Sequence, residues 1–136
     1  PGEPANSDRM IEISGAMAMA AIHYAFDQYR NFGHQPPNLF AEIWDDYVTL
    51  LEGYPESRRH QRIHMGHNCW VLPEERRFLT PKIMQGTALL GSQDQILERL
   101  FELEQAGLKQ VMTLPNFDTR YASLKTLGKE IIPFLS

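Results

Sequence analysis

Residues 109–114, KQVMTL, are the one stretch of this 136-residue chain with the length and composition of a β-strand, and Pro115 stops it. The rest reads as helix or loop. A lone strand leaves its backbone N–H and C=O groups without a ladder partner. The order helix, glycine, strand, loop, helix across residues 93–132 belongs to α/β proteins, where parallel strands alternate with helices. The expected fold class is therefore mainly α with one or two short strands, their neighbours coming from a second chain or from a larger protein. The opening residues PGEPANSD read as a loop, with neither an initiator Met nor a signal peptide, and favour the larger protein.

Helix signals punctuate the remainder. Ser7 is a fair N-cap for a helix over about 8–30, with Met10, Ser14, Met17, Ala21 and Tyr24 as its apolar stripe and Gly33 as its C-cap. Its middle, GAMAMAA, is built from small residues and Met and lets another element approach closely. Pro36-Pro37 breaks the chain. Asn38 can cap a second helix over about 39–52, with Leu39, Ile43, Trp44, Tyr47, Val48 and Leu51 on one broad face. Residues 54–78 form a polar, irregular stretch with one helical turn around 58–64, long for a connection inside a compact domain. Thr80-Pro81 opens a short helix over 81–85. Ser92 and Gln95 form a capping box for the helix that Gly107 ends, with Ile96, Leu97, Leu100, Phe101 and Leu103 as its stripe. A last helix spans about 119–132, with Tyr121, Leu124, Leu127 and Ile131 on one face. No internal repeat is evident.

Composition excludes several classes. A net charge of −4 with no basic stripe argues against nucleic acid. No apolar run approaches the roughly 20 residues of a membrane span. A single Cys allows no internal disulfide and suits a reducing cytoplasm.

Within residues 89–115, LLGSQDQILERLFELEQAGLKQVMTLP resembles the last α/β unit of the bacterial luciferase-like monooxygenase superfamily of FMN- or F420-dependent oxidoreductases. Gly91, Ser92, Leu97, Leu100, Leu103, Ala106, Gly107, Val111 and Met112 carry the match. Gln93 and Asp94 stand where that superfamily commonly has Pro-Glu. The segment EERRFLTPKIMQGTALLGS and the closing KEIIPFL are also similar. The resemblance is densest over 74–114. It implies the C-terminal third of a (β/α)8 TIM barrel rather than a complete barrel, which needs about 250 residues. Residues 8–30 would then be the helix after the seventh strand, 36–90 an insertion, and 91–136 the last helix–strand–helix unit. FMN or coenzyme F420 would serve the parent enzyme, and this chain alone is expected neither to bind it tightly nor to turn over. The expected partners are the remainder of the barrel or a second copy of the chain.

The densest chemistry is RRHQRIHMGHNCW, residues 58–70, with His60, His64, His67 and Cys69. Imidazole and thiolate suit zinc. The spacing matches no standard finger, however, and Gln61 stands where a catalytic HExxH helix has Glu. A polar surface loop is the plainer account. A pocket role is the third: insertions of this kind lie near the barrel mouth, so His64, His67 and Trp70 are candidate pocket-lining residues. Asn116 and Arg120, just after the strand, are candidates for the same reason. Gly91 and Ser92 are weak candidates for a cofactor phosphate at a helix N-terminus. Glu42, Asp45 and Asp46 read as a solvated face. Arg58, Arg59 and Arg62 read as surface ion pairs with Glu56, Glu74 and Glu75. The catalytic residues stay unassigned. The competing readings are a small self-associating helical interaction module and a zinc-binding module using 60–69.

Overall fold

The protein is described by a computed structural model covering residues 3–135. Of the expected opening loop, residues 1 and 2 lie outside the described residues, and Pro4 to Ser7 form a turn closed by a Ser7 N–H to Pro4 carbonyl bond of 3.0 Å. The described residues are mainly helical. Two compact units divide them, Pro4–Ala88 and a second from Leu89 onward. No described helix is long and apolar enough to cross a membrane.

In the first unit the Ser7 hydroxyl accepts from the Met10 N–H at 3.3 Å, as an N-cap should. A turn, Asp8–Met10, passes through a π-helical turn, Ile11–Gly15, into α1, Ala16–Phe32. Gly33 ends α1 in the left-handed conformation, donating its N–H to the Tyr29 carbonyl at 2.9 Å. The buried face differs from the expected stripe. Ile11, Gly15, Ala18, Met19, Ile22, Ala25 and Phe26 point inward, whereas Met17 and Tyr24 are exposed. The true stripe has the same three- and four-residue steps, displaced by one position, or about 100° around the helix. The expected close approach is present at Gly15. A Cβ there would lie 2.9 Å from Leu79 Cδ1 and 3.0 Å from Val71 Cγ2.

The second expected helix starts later than its cap residue suggests. Asn38–Phe40 makes only a 3-10 turn, and α2 runs Trp44–Glu52. Its expected face is largely right: Ile43, Trp44, Tyr47 and Leu51 are buried, joined by Phe40. Asp45 and Asp46, in its first turn, are exposed and oppose the positive end of the helix dipole. The single turn expected around 58–64 is a full helix, α3, Glu56–His64. Arg59 closes the end of α2 rather than pairing with a carboxylate. Its guanidinium donates to the carbonyls of Leu51 at 2.9 Å and of Glu52 and Tyr54 at 3.2 Å. A 3-10 turn, Arg76–Phe78, leads to α4, Pro81–Thr87, where the Thr80 hydroxyl accepts from the Ile83 N–H at 3.3 Å and Pro81 occupies the first turn. Ile22, Tyr47, Leu51, Ile63, Leu79, Ile83 and Met84 fill the core. Full burial stabilises each aliphatic side chain by about 1.5–3 kcal/mol.

The second unit opens with α5, Gln93–Gln105, and the capping box is complete. Ser92 Oγ accepts from the Gln95 N–H at 3.3 Å, and Gln95 Oε1 accepts from the Ser92 N–H at 2.9 Å. The stripe residues Ile96, Leu97, Leu100 and Leu103 are half-covered, and Phe101 is exposed. The strand expected over 109–114 is not formed. These residues have no regular secondary structure and are all exposed, Met112 at 92%. Their composition suits a strand, but pairing needs a neighbouring strand, and none exists among the described residues. The last helix is shorter than expected: α6, Arg120–Thr126, continues as a π-helical turn, Leu127–Ile131, and a 3-10 turn, Ile132–Phe134, containing Pro133. Of its expected face only Ile131 is buried. Gln93 Nε2 ties α5 to this tail, donating to the Glu130 carbonyl at 2.6 Å.

Candidate functional site

The core of the first unit holds a polar cluster in otherwise apolar surroundings. α1 carries His23 on its buried face, between the core residues Ile22 and Phe26. α2 brings Tyr47, and the segment before α4 brings Glu75. All three are at most 3% exposed. His23 Nε2 and Glu75 Oε1 are 3.1 Å apart. Tyr47 is boxed by aromatic rings, edge-on to Phe78 at 5.2 Å and to Phe26 at 6.0 Å. Its ring also stacks near His23, centroids 6.3 Å apart. Burial, then the Glu75 and Asp27 carboxylates, push the Tyr47 phenol well above its ordinary range, so it stays protonated.

The histidine-rich stretch meets this cluster. His67 stacks on His23 with centroids 5.8 Å apart, and His64, at the end of α3, stands edge-on to His67 at 5.5 Å. The three rings form a file from the buried His23 through the half-buried His67 to the exposed His64. Burial of the His67 ring, then His23 and His64, lower its pKa below the ordinary value, and Asp27 opposes this. Trp70 is exposed and folds back over Gly66, where a Cβ would lie 2.7 Å from Trp70 Nε1.

Glu74 and Glu75, adjacent in sequence, diverge. Glu75 turns inward to His23, and Glu74 pairs with Arg62 and accepts from the Tyr54 hydroxyl at 3.1 Å. The Arg62 guanidinium also lies over the Tyr54 ring, 5.1 Å from its centroid. Of the ion pairs expected for the arginine run, the Arg62–Glu74 pair forms. Glu56 pairs instead with Arg30 at 2.9 Å.

The chemistry open to this arrangement is proton handling. A carboxylate at Nε2 favours the tautomer with the proton there and leaves His23 Nδ1 as the basic nitrogen. Such a pair holds an imidazole in one orientation, as carboxylates do beside catalytic histidines.

The structure thus brings together two of the sequence candidates, His64 and His67, with Trp70 on the same turn. Asn116 and Arg120 belong to the second unit. There Asn116 Oδ1 accepts from the Asp118 N–H at 2.9 Å, and the Arg120 guanidinium stacks on Phe117 at 3.9 Å and Tyr121 at 4.5 Å. Both serve the turn that starts α6. Gly91 and Ser92 do not fit a phosphate. The Ser92 N–H is already donated to Gln95, and Asp94 places a negative charge in the first turn. Among the described residues, no three or more His, Cys, Asp or Glu side chains are arranged to hold a metal ion. His60 and Cys69 are exposed outside the file.

Sequence reasoning missed His23, Tyr47 and Glu75. His23 had a legible signal. It sits one position after Ile22 and three before Phe26, on the face that the displaced stripe buries. Glu75 had none, because a Glu-Glu pair beside arginines reads as surface charge.

No family model, curated protein or solved structure matches the chain.

Proposed function

We propose that this chain is the C-terminal portion of a luciferase-like, flavin- or deazaflavin-dependent oxidoreductase that works in the cytoplasm. One observation carries the reading. A segment without regular secondary structure, 109–114, carrying Val111, Met112 and Leu114, stands exposed directly after a helix ending at Ala106 and Gly107, inside the stretch where the sequence resemblance is densest. Val111, Met112 and Leu114 expose side chains that a barrel strand would bury between its neighbours. On this reading 109–114 is the eighth strand, and the remainder of the barrel supplies its neighbours.

FMN or coenzyme F420 would supply the redox chemistry of the whole enzyme. The residues at the start of α5 do not fit its phosphate, so the contacts to it belong to other parts of the barrel. This chain's own contribution is the His64–His67–Trp70 turn, backed by the buried His23–Glu75 pair, whose imidazoles can donate and accept hydrogen bonds.

The test is the intact mass and cofactor content of the natural polypeptide that carries these residues. A mass of about 35 kDa, suited to a barrel of about 250 residues or more, with reversible binding of FMN or F420, is expected. A natural polypeptide of 15.7 kDa that binds neither and self-associates would replace this reading with a small helical interaction module.

A further inference from the structure

The turn that carries His67 is built separately from the core it touches. Gly66 and Asn68 both adopt positive φ, +74° and +60°. The turn closes on itself through the His67 N–H to the His64 carbonyl at 3.3 Å, and through the Cys69 and Trp70 N–H groups to the Gly66 carbonyl at 2.8 and 3.0 Å. Around it, Met65, Asn68, Cys69 and Trp70 are exposed. The His67 ring is the side chain of this turn that reaches His23.

We propose that residues 65–70 form an acid-released latch, closed while His67 is neutral and stacked on His23, and opened when His67 takes up a proton and turns out to solvent. A neutral imidazole stacks near His23, centroids 5.8 Å apart and planes 26° apart, and brings no charge out of water. An imidazolium in the same place loses part of its hydration and faces a second histidine, His64, at 5.5 Å. The charged groups around the file come from every element packed there. Asp27 on α1 favours the protonated ring. Glu75, before α4, is engaged by His23 at 3.1 Å, Arg62 on α3 is engaged by Glu74, and Tyr47 on α2 stays neutral. Because His67 is half-buried and, Gly66 apart, the rest of its turn is exposed, expelling the ring moves one turn and leaves the helices in place. This inference does not depend on the oxidoreductase reading.

Trp70 reports the latch. The chain has two tryptophans, and Trp44→Phe leaves Trp70 as the sole tryptophan, which red-edge excitation selects over the tyrosines. Its emission should change on acidification with a midpoint below about 6.5, the value for a free histidine, while far-UV circular dichroism stays constant. His67→Gln should abolish the step, and His64→Gln should move its midpoint upward. The latch is overturned if the step survives His67→Gln, or if Trp70 emission changes only where helicity is lost. If Trp44→Phe does not fold, NMR of the wild-type chain decides. The His67 ring should titrate with the same low midpoint and lose its cross-relaxation with His23. A cross-peak that persists through the titration would refute the opening.

Discussion

Every buried apolar side chain among the described residues belongs to Pro4–Ala88, except Ile131. The second unit has equally good helix signals, including a complete capping box, yet Met112, Leu114, Phe117, Tyr121 and Ile132 each expose more than 60% of their surface. The two regions teach that helix formation and core formation are separable. Caps and periodicity place α5, but they bury little. Burial concentrates where α1, α2 and α4 converge, and most helical stability comes from such packing.

Mutations can break that contrast or sharpen it. The largest effect belongs to the core: Leu51→Ala, at a fully buried position, should destabilise the first unit by about 2–5 kcal/mol. Leu114→Ala, at 71% exposure, should stay within about 0.5 kcal/mol. Urea unfolding of the two variants would abolish the contrast if their midpoints shifted alike. Next in size is Gly15→Val, which pushes atoms into Leu79 and Val71 and should cost about 1–3 kcal/mol. Its signature is a lower thermal midpoint.

Ser92→Ala tests the opposite side of the comparison. Losing the capping box should cost about 1 kcal/mol and be felt first as fraying of α5, visible in amide exchange at Gln95. An unchanged exchange rate would mean that packing on the tail, not the cap, holds the start of that helix.

The smallest effect is pH-dependent. The folded state holds the His67 pKa below its unfolded value, so the unfolded chain binds more protons as the pH drops. Stability is then complete above about 6.5 and declines as the pH falls from there toward the lowered folded value. Urea midpoints at neutral and mildly acidic pH should differ in the wild type, and less so in His67→Gln.

Much of this was legible in the sequence where the signal is local. Ser7, Thr80-Pro81, Ser92–Gln95 and Gly33 mark helix ends because capping bonds connect residues three or four apart. The face of α1 was harder. GAMAMAA offers small residues in two adjacent registers, so three- and four-residue spacing alone does not select between Met10–Ser14–Met17 and Ile11–Gly15–Ala18. Selection comes from what lies opposite, Leu79 and Val71, more than fifty residues away. The strand at 109–114 failed for a related reason. Composition marks a segment able to pair but says nothing about whether a neighbour is there. The candidate site was half visible. His64 and His67 announced themselves as a cluster, whereas the His23–Glu75 pair joins residues 52 positions apart that each look ordinary.

Arg59 has a consequence for the order of assembly. Its bonds to the carbonyls of Leu51, Glu52 and Tyr54 span only eight, seven and five residues, so they close the α2–α3 corner at little entropic cost. Docking His23 against Glu75 must instead close a loop of 52 residues. The corner can form while the chain is still largely open, and the histidine file can be completed only after α1 and the segment before α4 have met across it. The buried His23–Glu75 pair therefore depends on a long-range meeting of elements, whereas the corner depends only on its neighbours in sequence.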